Sequence, residues 1–182
     1  MRHPTSIESL AVFCGSKTGT NPIFRADALT LGHWMADHHI RLVYGGGSAG
    51  LMGIIADAVL EKGGQVTGII PSLLLEWEVQ HRGLTELIIA EDMHQRKKEL
   101  YSRCEAALVL PGGFGTLDEL FEIITWNQLT IHDKPIIILN SGGFYDALLQ
   151  HIDCMRKEGF LYQKALDKIS VIQKVEELGD YL

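Results

Sequence analysis

The chain is poor in cysteine, proline and positive charge: three Cys, five Pro, and 16 Lys and Arg against 23 Asp and Glu in 182 residues, a formal net charge of −7. Cys14, Cys104 and Cys154 are odd in number and lack metal-type spacing. That argues against a disulfide framework and fits a reducing cytoplasm. The shortage of cations disfavours nucleic acid or an anionic membrane as partner, although a local basic cluster can still hold a small anion. No apolar run reaches the roughly 20 residues of a membrane span. The opening "MRHPTSIESLAVF" has no apolar stretch of the secretory kind. A soluble, cytoplasmic protein is expected. The eight histidines include no H-E-x-x-H or comparable grouping, so no metal is expected.

What is abundant is apolar: 46% of residues are hydrophobic and only 21% charged, a globular composition. The whole chain, 1–182, fits one domain with a sizeable core. Leu10 to Cys14, Arg41 to Tyr44, Gln65 to Ile70, Glu86 to Ala90, Ala106 to Leu110, Pro135 to Leu139 and Lys168 to Ile172 read as strands, several apolar at consecutive positions. Such strands need helices on both faces. Helical patterns intervene. Asn21-Pro22 is a cap followed by a first-turn proline, after which Phe24, Ala28, Leu31 and Met35 recur at helical spacing. Leu51 to Glu61, Met93 to Arg103, Thr116 to Leu129 and Phe144 to Lys157 behave alike. The alternation predicts a Rossmann-like, doubly wound parallel sheet of about seven strands, with ligands bound beyond the C-terminal strand edge.

Glycines cluster at that edge. In "YGGGSAGLMG", Gly45, Gly47 and Gly50 satisfy G-x-G-x-x-G. The pattern follows the second strand, and the window where an acidic ribose partner belongs is "GIIPS". A nicotinamide or flavin cofactor is therefore not expected, while phosphate held by backbone N–H groups of Gly45, Gly46 and Gly47 is. "CGSKTG" ends the first strand and offers the Ser16 hydroxyl, without P-loop spacing. In "EDMHQRKKEL", Asp92 and Gln95 form a capping arrangement that puts Arg96, Lys97 and Lys98 early in a helix, against its dipole. Something else must favour those cations. "PGGFGTLDE" reads two ways. Thr116 and Glu119 match a capping box, but a cap does not explain Gly112, Gly113 and Gly115, which would admit a ligand beside the carboxylate.

Taken in order, "YGGGSAGLMG", "HRGLTEL", "MHQRK", "PGGFGTLDELFE" and "TWNQLTIHDKPI" closely resemble the LONELY GUY family of cytokinin riboside 5'-monophosphate phosphoribohydrolases, proteins often mislabelled lysine decarboxylases. The resemblance implies a Rossmann-like fold, a homodimer with active sites near its interface, and hydrolysis of adenine-type nucleoside 5'-monophosphates without a cofactor. By matching position it makes Arg96 and Glu119 catalytic. It makes Met93, Lys97, Gly112, Gly113, Gly115 and Thr116 nucleotide-holding residues, and Glu78 and Thr125 further substrate contacts. Asp118 stands where glutamate is more usual, and "IITWNQLTIH" varies the family's pattern. A plain AMP nucleosidase and a non-catalytic nucleotide or cofactor carrier are the alternatives. Nothing marks a Schiff-base lysine with a pyridinium partner, as a decarboxylase would need.

Overall fold

A computed structural model describes residues 7–74 and 80–182. The strands are β1 (Ser9–Phe13), β2 (Arg41–Tyr44), β3 (Val66–Pro71), β4 (Glu86–Ala90), β5 (Ala106–Val109), β6 (Ile136–Leu139) and β7 (Ile169–Ile172). Between them run α1 (Pro22–Asp37), α2 (Gly50–Glu61), α3 (Met93–Ser102), α4 (Phe114–Gln128), α5 (Asp146–Lys157) and the short α6 (Gln163–Leu166). The seven strands form one sheet in the order β4-β3-β2-β1-β5-β6-β7, every pair parallel. The order reverses beside β1: the chain first builds outward through β2, β3 and β4, then returns to lay β5 on its other edge. Leu10 accordingly registers with both Leu42 and Ala106.

Strand side chains alternate between faces, and both faces are buried. Leu10, Val12, Leu42, Tyr44 and Leu108 point to one core, closed by Leu31, Met35, Ile55 and Val59 from α1 and α2. Ala11, Phe13, Val43, Val109 and Ile138 point to the other, closed by Leu100, Tyr101, Leu120 and Ile123 from α3 and α4. This is the doubly wound arrangement the consecutive apolar runs required.

Two helix starts differ by two residues from the sequence reading, and α2 starts one residue early, at Gly50. The α4 helix begins at Phe114 with Gly113 as its N-cap, so Thr116 and Glu119 lie inside the helix and do not form a capping box. Gly112 and Gly113 lead the chain into the helix two residues earlier than the Thr116 signal suggests. The α5 helix begins at Asp146 because Gly142 and Gly143 adopt positive φ in a short 3-10 turn. By contrast, Asn21 caps α1 through a 3.1 Å bond from Ile23 N, with Pro22 in the first turn as expected.

Candidate active site

At the reversal point the turns after β1 and β5 are sewn together: Leu110 N donates to Phe13 O (2.9 Å) and Gly15 N to Pro111 O (3.0 Å). A Cβ on Gly112 would strike the Thr116 side chain, so only glycine lets the β5 turn pass this close. Added methyl groups on Gly113 and Gly115 would instead meet nothing within 4 Å. Gly113 has no side chain to cap α4. A helix start leaves its first N–H groups without intrahelical partners, and here they come from Phe114, Gly115 and Thr116. Thr116 and Glu119 follow on the inner face of α4, 4% and 8% exposed.

Arg96 arrives from α3. Asp92 caps that helix by accepting from Gln95 N at 2.7 Å, as the motif indicated. The Arg96 guanidinium donates through Nε to Ile69 O of β3 (3.2 Å) and places Nη1 3.4 Å from Glu119 Oε1, both side chains being 11% exposed. Its other nitrogen lies against Gly45, where any side chain would collide with it. The ion pair is what favours a cation in the first turns of α3.

Together these residues line a cavity of about 310 Å³: Ser16, Gly45, Met93, Arg96, Gly113, Gly115, Thr116 and Glu119 are all in its wall. The sequence reading did not mark Cys14, Met52, Leu74 and Phe114, which also line it. Cys14 carried no motif signal beyond ending the first strand. Its thiol is buried and pushed well above the usual range by that burial and by the charge of Glu119, so it stays protonated. Phe114 is 93% exposed, an aromatic at the mouth that the glycines around it obscured in the sequence. A second cavity of about 320 Å³ shares Gly15, Ser16 and Gly113 and is walled by Phe24, Leu51, Pro111, Gly112 and Phe144.

Other expected residues lie elsewhere. Gly46 O accepts from His81 N, and Gly47 bridges to Gln80 and accepts from the Tyr44 hydroxyl, so both serve the loop rather than the cavity wall. Lys97 turns away from the cavity to Asp118 and Glu122. Thr125, further along α4, donates to Phe121 O and lines an apolar groove with Ile152, Met155 and Leu166. Glu78 lies outside the described residues. Among the described residues no three His, Cys, Asp or Glu side chains gather as a metal site would need.

A parallel sheet with a cavity at its switch point, holding an Arg–Glu pair against an uncapped helix start, defines a Rossmann-like α/β protein with a small-molecule site. Comparison narrows this. A family model described as "Possible lysine decarboxylase" matches residues 52–182. A probable cytokinin riboside 5'-monophosphate phosphoribohydrolase of Oryza sativa subsp. japonica is 48% identical over 152 residues, covering 84% of this chain and 68% of that one. A cytokinin riboside 5'-monophosphate phosphoribohydrolase of Arabidopsis thaliana is 42% identical over 186 residues, covering 100% and 87%. The solved structure of a molybdenum cofactor binding protein from Rippkaea orientalis superposes with a TM-score of 0.71 at 21% identity, covering 99% and 95%, a likeness of fold alone. The chain belongs to the LONELY GUY family of phosphoribohydrolases.

Proposed function

We propose that the chain hydrolyses the N-glycosidic bond of adenine-type nucleoside 5'-monophosphates, cytokinin riboside 5'-monophosphate or AMP, giving free base and ribose 5-phosphate. The observation that carries this reading is the buried Arg96–Glu119 pair facing the cavity beside the first turn of α4. Breaking the bond develops positive charge at the ribose C1'. A carboxylate fixed beneath it stabilises the transition state more than the ground state, because the charge is absent before bond breaking. Glu119 takes that place and can also orient the water whose oxygen ends on C1' while its proton goes to the departing base. Arg96, fixed at Nε by Ile69 O, holds the Glu119 carboxylate in place. The 5'-phosphate sits on the N–H groups of Gly115 and Thr116, where the α4 dipole favours an anion, with Ser16 opposite.

The unit is taken as one domain, acting as a homodimer in the cytoplasm. Support for pairing is the apolar groove along α4 and α5, whose wall includes the exposed Phe121 with Ile124, Ile152 and Met155. Support for the compartment is that Cys14, Cys104 and Cys154 are all free thiols. No helix among the described residues is long and apolar enough to cross a membrane.

Chromatography of the protein incubated with AMP, isopentenyladenosine monophosphate and the matching nucleosides tests the reading. Free base and ribose 5-phosphate should appear from the monophosphates, far faster than base from the nucleosides. Equal turnover of adenosine and AMP would remove the phosphate site from the mechanism. Tight binding with no turnover of either monophosphate would favour a carrier.

A further inference from the structure

We infer that Lys97 is a positioning residue for Glu119, acting from the outer side of α4 through Asp118 and Glu122 and not by touching the nucleotide. The inference rests on the phosphoribohydrolase reading of the same site. Successive residues of a helix diverge by about 100°. Arg96 and Lys97 therefore leave α3 in different directions, and Glu119 leaves α4 in a different direction from Asp118. Arg96 meets Glu119 on the cavity side. Lys97 Nζ meets Asp118 Oδ2 at 2.8 Å and Glu122 Oε2 at 3.3 Å, two carboxylates one helical turn apart on α4. The two helices are thus joined by two neighbouring rungs.

Tyr101, one turn beyond Lys97 on α3, completes the clamp. Its hydroxyl lies 2.9 Å from Glu122 Oε2 and 3.3 Å from the Glu119 carbonyl oxygen. The ring is held edge-on by Phe13 of β1 (6.0 Å) and Trp126 of α4 (5.0 Å). The Lys97 side chain is only 13% exposed and Glu122 24%, so that pair is shielded from solvent and salt, while Asp118, 56% exposed, holds the solvent end of the rung. Burial alone would lower the Lys97 ammonium's pKa, but its bonds to Asp118 and Glu122 outweigh that and raise it, so the charge persists.

One turn of α4 carries three carboxylates, Asp118, Glu119 and Glu122, facing the two cations Arg96 and Lys97. Removing Lys97 leaves Arg96 alone among them. One of the two rungs that join α4 to α3 is then lost, and the tie that holds Glu119 in place loosens. Removing Glu122's charge as well restores the parent's net charge of the cluster.

The test compares Lys97→Met, Lys97→Arg and Lys97→Met/Glu122→Gln with the parent, measuring kcat, KM and inhibition by ribose 5-phosphate. Lys97→Met should lower kcat about tenfold to a hundredfold, the scale of a small misplacement of a catalytic group. Its KM and inhibition constant should stay near the parent's. Lys97→Arg and the double variant should recover most of the rate. A Lys97→Met protein with parent-like kcat, raised KM and weakened inhibition would make Lys97 a phosphate ligand and overturn the inference, as would a double variant as slow as the single one. Should Lys97→Met fail to fold, the double variant decides: parent-like KM with substantial turnover supports positioning, and raised KM overturns it. Parent turnover in the same assay tests the enzyme reading separately.

Discussion

The two edges of the sheet carry similar chemistry and differ in what surrounds it. At the N-terminal edge, Arg41 and Arg103 approach Glu86 at 3.8 and 4.0 Å beside a cavity of about 360 Å³. At the C-terminal edge, Arg96 approaches Glu119 at 3.4 Å beside one of about 310 Å³. Ion pairs and volume therefore do not separate them. Burial does: the N-terminal side chains are 41% and 43% exposed, the C-terminal pair 11% each. Chain direction separates them too. Every strand is parallel, so the helices that follow β2, β4 and β5 start at one edge, and their positive dipole ends favour an anion there only. Desolvation and converging backbone donors set the C-terminal cluster apart, and they are what support it as the proposed site.

The largest effect expected from breaking that contrast is on Glu119. Glu119→Gln keeps an oxygen toward Arg96 but removes the charge opposed to the ribose cation. Turnover should fall on the order of 10² to 10³, about 3–4 kcal/mol of barrier, by the measure of other removed electrostatic stabilisers. Weakening a hydrogen bond to a charged group should cost about 1–3 kcal/mol of stability, leaving the fold intact. Turnover measured beside thermal melting checks both. Because Glu119 is no cap in the structure, undiminished turnover would leave the carboxylate with no role in the reaction.

A smaller effect sharpens the roles of two adjacent glycines. Gly112→Ala drives a methyl into the Thr116 side chain and to within 3.0 Å of Gly15 N, an overpacking that costs about 1–3 kcal/mol. Gly113→Ala meets no atom within 4 Å, and the backbone there, at φ −98°, suits any residue. Its melting temperature should match the parent's while KM for the monophosphate rises, because the new methyl occupies space beside the first turn of α4. Melting curves and KM for both variants separate the glycine that packs from the glycine that admits. A destabilised Gly113→Ala with unchanged KM would reverse that assignment.

These neighbours also show how far the sequence could be read. The strands were legible because burial on both faces leaves consecutive apolar runs such as Ile136 to Leu139, and β2 and β4 fell on the expected residues. Arg96 and Glu119 were legible as a pair only through the family resemblance. Local rules alone offered a capping box for Glu119, and that rule failed because the true cap, Gly113, has no side chain to announce itself. The resemblance assigns Lys97 to the nucleotide, and the structure adds a pairing with Asp118 and Glu122 that adjacency in "MHQRK" does not announce. Gly45 looked like a phosphate glycine. Its more immediate task is to make room for Arg96, a contact between residues 51 positions apart that no local pattern encodes.

The smallest expected effect lies at the opposite edge. Glu86→Gln removes the carboxylate shared by Arg41 and Arg103, yet Arg41 also reaches Gln65 and Thr67, and Arg103 keeps Glu99 at 2.8 Å. Each pair is more than a third exposed, so solvent and salt screen it, and the loss should be about 1 kcal/mol or less. At high salt the difference from the parent should shrink further. Turnover should not change, since Glu86 sits at the N-terminal end of β4 while Arg96 follows that strand's other end. Melting at low and high salt, with kcat measured alongside, gives the comparison its lower bound. A Glu86→Gln protein that loses turnover while keeping its melting temperature would show that the two edges are coupled through β4, and that burial alone does not mark the reactive one.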